Sequence, residues 1–272
     1  MKLRNALTIA SASDAGLVRT FNEDSVAVDE DLGLVVLADG MGGYKAGDVA
    51  AGMATMIVSN ELRDHLGEGK GRANGRPVDN ELIRNAVTRA NQAIYHAAHN
   101  KAQFQGMGTT VVLALLHDDL ITIAHAGDSR MYRLRHDKLE QLTVDHSLLQ
   151  EQLEMGLISS EDARVSHNRN LVTRALGVNQ SIAVDIKQER ALPGDVYLLC
   201  SDGLNDMVDD ADIELAMVAL KENIPLLVRQ LVIMANDNGG HDNISVAAIK
   251  IEKPFPARGH WLARLFGARR HA

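Results

Sequence analysis

The chain is predicted to be an α+β protein of antiparallel sheets with helices on their outer faces, and three observations support this. Short apolar runs bounded by glycine read as buried strands. Further strand signals come in pairs around short polar turns, as in antiparallel hairpins. The helical stretches are grouped between hairpins and do not alternate one by one with strands, which excludes βαβ units.

Taken in order, Glu23 and Asp24 precede a strand beginning at Ser25, and Leu34-Val35-Val36-Leu37 runs into Ala38-Asp39-Gly40. A helix follows Gly47, carrying Val49, Ala50, Met53, Met56 and Ile57; residues 67–77 are loop by their glycine content. From Leu82, the apolar residues Ile83, Ala86, Val87, Ala90, Ala93, Ile94 and Ala97 keep helical spacing behind the candidate N-cap Asp79. Residues 109–116 and 120–125 form a hairpin around His117-Asp118-Asp119; 131–134 and 139–142 form another around His136-Asp137-Lys138. Residues 145–166 read as polar and helical, a surface insert. Val196-Tyr197-Leu198-Leu199-Cys200 leads into Ser201-Asp202-Gly203, and 244–251 closes the strand set. Beyond it, Trp261, Leu262, Leu265 and Phe266 recur at helical spacing among arginines, a short basic amphipathic tail over 252–272.

Composition excludes several classes. The net charge of −8 argues against a general nucleic-acid binder. A single cysteine, Cys200, allows neither an internal disulfide nor a four-cysteine zinc site. No apolar run has the length of a membrane span, and the first residues turn polar too early for a secretory signal. A soluble cytoplasmic protein is the expectation. The glycine-rich loop lacks the Gly-Lys-Ser/Thr ending of a phosphate-binding loop.

The chemistry concentrates in carboxylates placed where strands end. Asp39 and Asp202 each follow an apolar strand and precede a glycine; Asp128 lies in Ala126-Gly127-Asp128-Ser129-Arg130, Asp242 just before the last strand, Glu23 and Asp24 before an earlier one. Any one of these alone is an ordinary turn former, but the repeated placement points to a shared site. Hard oxygen ligands select Mg²⁺ or Mn²⁺ over zinc, and a pair of such ions activates water and neutralises phosphoryl oxygens. Arg19 suits a phosphate fork; the competing reading is a surface ion pair with Glu23 or Asp24.

These residues carry a family resemblance. In order, the chain has Arg19-Thr20-Phe21-Asn22-Glu23-Asp24, Ala38-Asp39-Gly40-Met41-Gly42-Gly43 with Gly47, Gly106-Met107-Gly108-Thr109-Thr110 and Gly127-Asp128-Ser129-Arg130. Thr143-Val144-Asp145-His146-Ser147, Leu171-Val172-Thr173-Arg174-Ala175-Leu176-Gly177, Ser201-Asp202-Gly203-Leu204 and Asp242-Asn243-Ile244-Ser245 follow. The series resembles the bacterial branch of the metal-dependent protein phosphatases of the 2C type, from about residue 6 to 251. The resemblance implies a four-layer α-β-β-α sandwich, two antiparallel sheets flanked by helix pairs, with a helical flap insert over 145–177. It implies a catalytic domain over 1–251 and leaves 252–272 as a tail, which could lie on an anionic membrane or a partner. It further implies hydrolysis of phosphoserine and phosphothreonine by a metal-bound water or hydroxide. Asp39 would bridge two core Mn²⁺ or Mg²⁺ ions, with the Gly40 carbonyl on one and Asp202 and Asp242 on the other. Glu23 and Asp24 would act through bound water, and Asp128 with Asp202 would hold a third, weaker ion. Arg19 would bind the phosphate. The implied partners are phosphoproteins and a cognate serine/threonine kinase, with no nucleic acid; a monomer is expected.

Two positions depart from the family. Met41 stands where animal relatives place a histidine proposed as general acid, so leaving-group protonation falls to water or another side chain. Tyr44 replaces a histidine of many bacterial relatives and is a candidate substrate contact. Rival chemistries fit less well. A cysteine phosphatase needs an arginine six residues after Cys200, where Asp206 stands. The His117-Asp118, His136-Asp137 and His241-Asp242 pairs lie in turns, whereas helical phosphohydrolases need such ligands on helices. A kinase would need a catalytic-loop His-Arg-Asp. Met41, Met53, Met56 and Met107 read as core fillers. The competing class is a non-catalytic phosphopeptide-binding or regulatory module on the same fold; retention of Asp39, Asp202 and Asp242 favours the enzyme.

Overall fold

The computed structural model describes residues 3–42, 46–66, 78–159 and 171–255. Twelve strands are found there: β1 (Leu7–Asp14), β2 (Ser25–Asp29), β3 (Leu34–Ala38), β4 (Gly40–Met41), β5 (Gly108–Thr109), β6 (Val111–His117), β7 (Leu120–Ala126), β8 (Arg130–Arg135), β9 (Lys138–Gln141), β10 (Asp185–Arg190), β11 (Val196–Cys200) and β12 (Ile244–Ile251). The α-helices are α1 (Ala46–Leu66), α2 (Asn80–Asn100), α3 (Leu148–Glu154), α4 (Asp202–Asn205), α5 (Asp210–Leu220) and α6 (Ile224–Asp237).

Two five-stranded sheets, ordered β1-β12-β11-β8-β9 and β10-β7-β6-β3-β2, stack face to face, and all of their pairings are antiparallel. Side-chain alternation explains why the central strands read as unbroken apolar runs. Val35 and Leu37 of β3, Val112 and Ala114 of β6, and Tyr197 and Leu199 of β11 fill the core between the sheets. Their neighbours Leu34 and Val36, with Leu113 and Leu115, face α1 and α2. Val196 and Leu198 face α5 and α6. Both faces of each sheet are thereby covered, and the layers run α-β-β-α.

Local signals account for the connections. Asp79 caps α2 by accepting from the Leu82 amide at 2.8 Å. The β6–β7 and β8–β9 hairpins turn on Asp118-Asp119 and His136-Asp137, all four at positive φ, the conformation that matches the twist of a two-residue hairpin. Asn223 caps α6 and Pro225 follows in its first turn, where a missing N–H costs nothing.

Three expectations need correction. The insert is not helical from 145 to 166: Asp145, His146 and Ser147 are irregular, Ser147 bridges to Val172, and the described helix is only α3. Ser147 caps that helix, so its hydroxyl sets a start three residues later than expected. Met56 is an exposed residue of α1, not a core filler, whereas Met107 is buried. The folded body continues past Ile251: Glu252 and Lys253 donate their amides to the Ala6 carbonyl, and Phe255 packs into the core between the sheets. Tyr44, the glycine-rich loop, residues 160–170 and the tail from 256 lie outside the described residues. Among the described residues no helix is long and apolar enough to cross a membrane.

Candidate active site

The acidic residues singled out in the sequence converge at one end of the sandwich. Asp39 leaves β3, Asp128 leaves β7, Asp202 leaves β11 as the first residue of α4, and Asp242 enters β12. Glu23 and Asp24 enter β2 from the loop that also carries Arg19. The ends of β3, β7, β11 and β12 are rigid because each of these strands is held in a ladder on both sides, whereas β2 is an edge strand paired with β3 alone.

Asp39 is held by its backbone. Its amide donates to Thr110 Oγ1 at 3.0 Å, and its carbonyl accepts from the Thr110 amide at 2.9 Å and from Thr109 Oγ1 at 2.8 Å. The side chain is thereby placed against the carboxyls of Asp24 and Asp202. Beside it, β4 and the start of α1 approach so closely that no side chain fits: a Cβ on Gly40 would lie 2.2 Å from the Gly47 carbonyl oxygen. The Asp24 carboxylate takes a hydrogen bond from Ser201 Oγ at 2.9 Å through Oδ2, while its buried Oδ1 has no partner. Arg19 donates from Nη2 to Asp242 Oδ2 at 2.7 Å. Its ion pair is therefore with Asp242, not with Glu23 or Asp24, and with 55% of its side chain exposed it stands at the mouth of the cleft.

The electrostatics are those of crowded carboxylates. Asp39 and Asp202 are half-buried by surface area yet surrounded by protein at the cleft floor. Burial and then neighbouring carboxylates push both well above the usual range: Asp24, Asp202 and Asp128 act on Asp39; Asp128, Asp206, Asp242 and Asp24 act on Asp202. Asp24 is pushed up to about 7, first by burial, and Asp128 to about 6, by burial and then by Asp145. Burial also raises Glu23. Such a group of like charges with an orphaned buried oxygen fits a cation, and its all-oxygen donor set is that of Mg²⁺ or Mn²⁺. His125, His146 and Asp185 also offer ligand atoms close together, but their partners, described below, are already assigned.

Sequence reasoning missed Asn243 as a functional residue. Its side chain accepts from the Glu23 amide at 2.8 Å and donates to the carbonyls of Ala15 and Phe21 at 3.0 and 2.9 Å. It pins the whole segment that carries Arg19 and Glu23. Cys200 is fully buried and burial pushes its thiol up to about 12, so it is no nucleophile.

Comparison with known proteins agrees with this geometry. A family model described as protein phosphatase 2C matches residues 18–231. The serine/threonine phosphatase stp of Listeria innocua is 36% identical over 241 residues, which cover 88% of this chain and 93% of that protein. The protein phosphatase PhpP of Streptococcus pneumoniae is 32% identical over 91% of this chain and 98% of its own length. The crystal structure of the Mycobacterium tuberculosis serine/threonine phosphatase PstP/Ppp superposes with a TM-score of 0.80 at 34% identity, covering 91% of this chain and 99% of that one. The catalytic domain of PstP in complex with two manganese ions gives a TM-score of 0.78, again at 34% identity and with the same coverage. The chain belongs to the protein phosphatase 2C family, the metal-dependent serine/threonine protein phosphatases.

Proposed function

We propose that this protein hydrolyses phosphoserine and phosphothreonine in protein substrates, with Asp39, the Gly40 carbonyl, Asp202 and Asp242 holding two Mn²⁺ or Mg²⁺ ions. The observation that carries this reading is the convergence of carboxylates at one end of the sandwich: burial raises Asp24, Asp39, Asp128 and Asp202, and Asp24 and Asp128 further raise both Asp39 and Asp202. Glu23 and Asp24 serve as outer ligands, and Asp128 with Asp202 holds a third ion. When bound, the ions supply Lewis acidity, lowering the pKa of water and neutralising phosphoryl oxygens.

The protein's own groups do the rest. Ladder-held strand ends keep the carboxylates in place, so little reorganisation is needed during reaction. Arg19 exchanges its contact with Asp242 for two phosphate oxygens, orienting the phosphoryl group for in-line displacement. Among the described residues the cleft carboxylates are assigned to the ions and the one thiol, Cys200, is buried, which supports a single displacement without a phosphoenzyme. Tyr44 is a candidate contact to the substrate beyond the phosphate.

The setting that fits is a cytoplasmic monomer opposing a serine/threonine kinase, with the basic tail as its localising element. The main test is hydrolysis of p-nitrophenyl phosphate and of phosphopeptides with Mn²⁺, with and without chelator. Activity that survives chelation, or a covalent phosphoenzyme trapped on quenching, contradicts the mechanism. The tail is tested by deleting residues 256–272, which spares Phe255 and the core. Sedimentation with anionic liposomes should fall while ester hydrolysis is unchanged.

A further inference from the structure

The two ends of the flap insert meet the turn that carries Asp128, and His146 makes the junction. Gly127 sits at φ 116 and leads from β7 into Asp128. A Cβ on Gly127 would lie 2.6 Å from Thr110 Cβ, so one side of the turn is pressed against Thr110. Ser129 Oγ also bonds Thr110 Oγ1 at 2.7 Å. The other side is held by His146, and reciprocally: its amide donates to the Gly127 carbonyl at 3.0 Å, and the Gly127 amide donates to its Nδ1 at 3.2 Å. The His146 carbonyl accepts from Thr173 at 2.8 Å, tying in the returning stem of the insert.

The Gly127 N–H can only donate, so its contact assigns the lone pair to Nδ1; at Nε2, Asp185 Oδ2 lies at 3.2 Å as an acceptor and Arg174 Nη1 at 3.1 Å. The ring stacks on His125 with centroids 4.6 Å apart and planes 12° from parallel, and His125 in turn donates Nε2–H to the Val144 carbonyl at 2.9 Å. A metal at this histidine pair is disfavoured because the Arg174 guanidinium already stands in the cation's place, 3.1 Å from His146 Nε2 and 3.2 Å from Asp185 Oδ1.

We propose that His146 is a positioning residue for the metal ligand Asp128: its Nδ1 lone pair orients the Gly127 peptide and so aims the carboxylate that follows. This rests on the reading of Asp128 as a ligand given above. Two isosteric variants separate the atoms, since an Asn side chain places an acceptor near Nδ1 and a Gln side chain reaches toward Nε2. Each full-length variant is titrated with Mn²⁺ by calorimetry and assayed on a phosphopeptide, beside Asp128→Asn and the double variant.

Loss of an outer-shell partner typically costs about 10-fold or more in metal affinity or activity. His146→Gln should therefore weaken the weakest Mn²⁺ site and lower kcat by about that factor with KM little changed, and His146→Asn should restore both. Adding Asp128→Asn to His146→Gln should cost no more than Asp128→Asn alone. Parent-like Mn²⁺ binding in His146→Gln overturns the proposal. Equal losses in both His146 variants, or unfolding of His146→Gln, also overturn it, because the ring would then act only as packing. If Asp128→Asn weakens Mn²⁺ binding and His146→Gln does not, the ligand assignment stands and the role of His146 fails. If Asp128→Asn itself leaves Mn²⁺ binding unchanged, the ligand assignment fails and the role of His146 falls with it.

Discussion

Replacing Asn243 by Ala should loosen the loop that carries Arg19 and Glu23 and destabilise the whole protein. Three hydrogen bonds are lost together, to the Glu23 amide and to the carbonyls of Ala15 and Phe21. Asn243 is buried, so water does not simply take its place. At about 1 kcal/mol for each bond, the loss is about 3 kcal/mol. A chain of this length loses roughly 2–4 °C of Tm per kcal/mol, so Tm should fall by about 6–12 °C. The same loss frees the segment carrying Arg19 and Glu23, so KM for a phosphopeptide should rise as well. Asn243→Asp makes a sharper version, because it keeps the acceptor for Glu23 and turns a carboxylate toward two carbonyl oxygens. Thermal melts and steady-state kinetics on the two variants provide the assay. A Tm within about 2 °C of the parent, with KM unchanged, would refute the reasoning.

The other predictions follow from the charge arrangement. Mn²⁺ at about 100 times its Kd should stabilise the protein by about 2.7 kcal/mol, chelator should reverse this, and Asp39→Ala should abolish most of the shift in a melt. Arg19→Ala should raise KM for phosphopeptide more than it lowers kcat, since a charge-assisted contact present in the bound substrate is lost; an unchanged KM would leave Arg19 only its pair with Asp242. Burial holds His125 and His146 below their ordinary 6.5, so below that pH the unfolded chain takes up protons first. Their stabilising contribution is complete above about 6.5 and declines as pH falls through the lower folded values. Denaturant titrations at several pH values should give a shallower acid slope for His125→Phe than for the parent.

The central strands were legible because their sequences record burial on both faces. β3, β6, β11 and β12 lie inside a sheet and beneath helices, so apart from His117 and Lys250 near strand ends their side chains are apolar, aromatic or small. The edge strands carry no such record. β10, Asp-Ile-Lys-Gln-Glu-Arg, pairs only with β7, and β1 mixes Ser, Ala and Asp among its few apolar residues. Their strand character comes from the neighbour's ladder and not from their own pattern. The paired helices α5 and α6 also went unread, although Asp209 and Asn223 cap them; α6 is nearly continuous in apolar residues, which weakens a helical period.

The same division runs through the site. A carboxylate at a strand end leaves a local trace, a polar residue and a glycine after an apolar run, and so Asp39 and Asp202 stood out. Residues that hold those carboxylates leave none, because their partners are remote in sequence. Asn243 meets Glu23 across 220 positions, Thr110 meets Asp39 across 71, and His146 meets Gly127 across 19. Thr110 carries the argument one step further. It takes the Asp39 amide on its hydroxyl and shares that hydroxyl with Ser129, next to Asp128. A shift of the Asp128 turn therefore reaches the backbone of Asp39 through one side chain, and the two carboxylate positions are linked by the Thr110 hydroxyl.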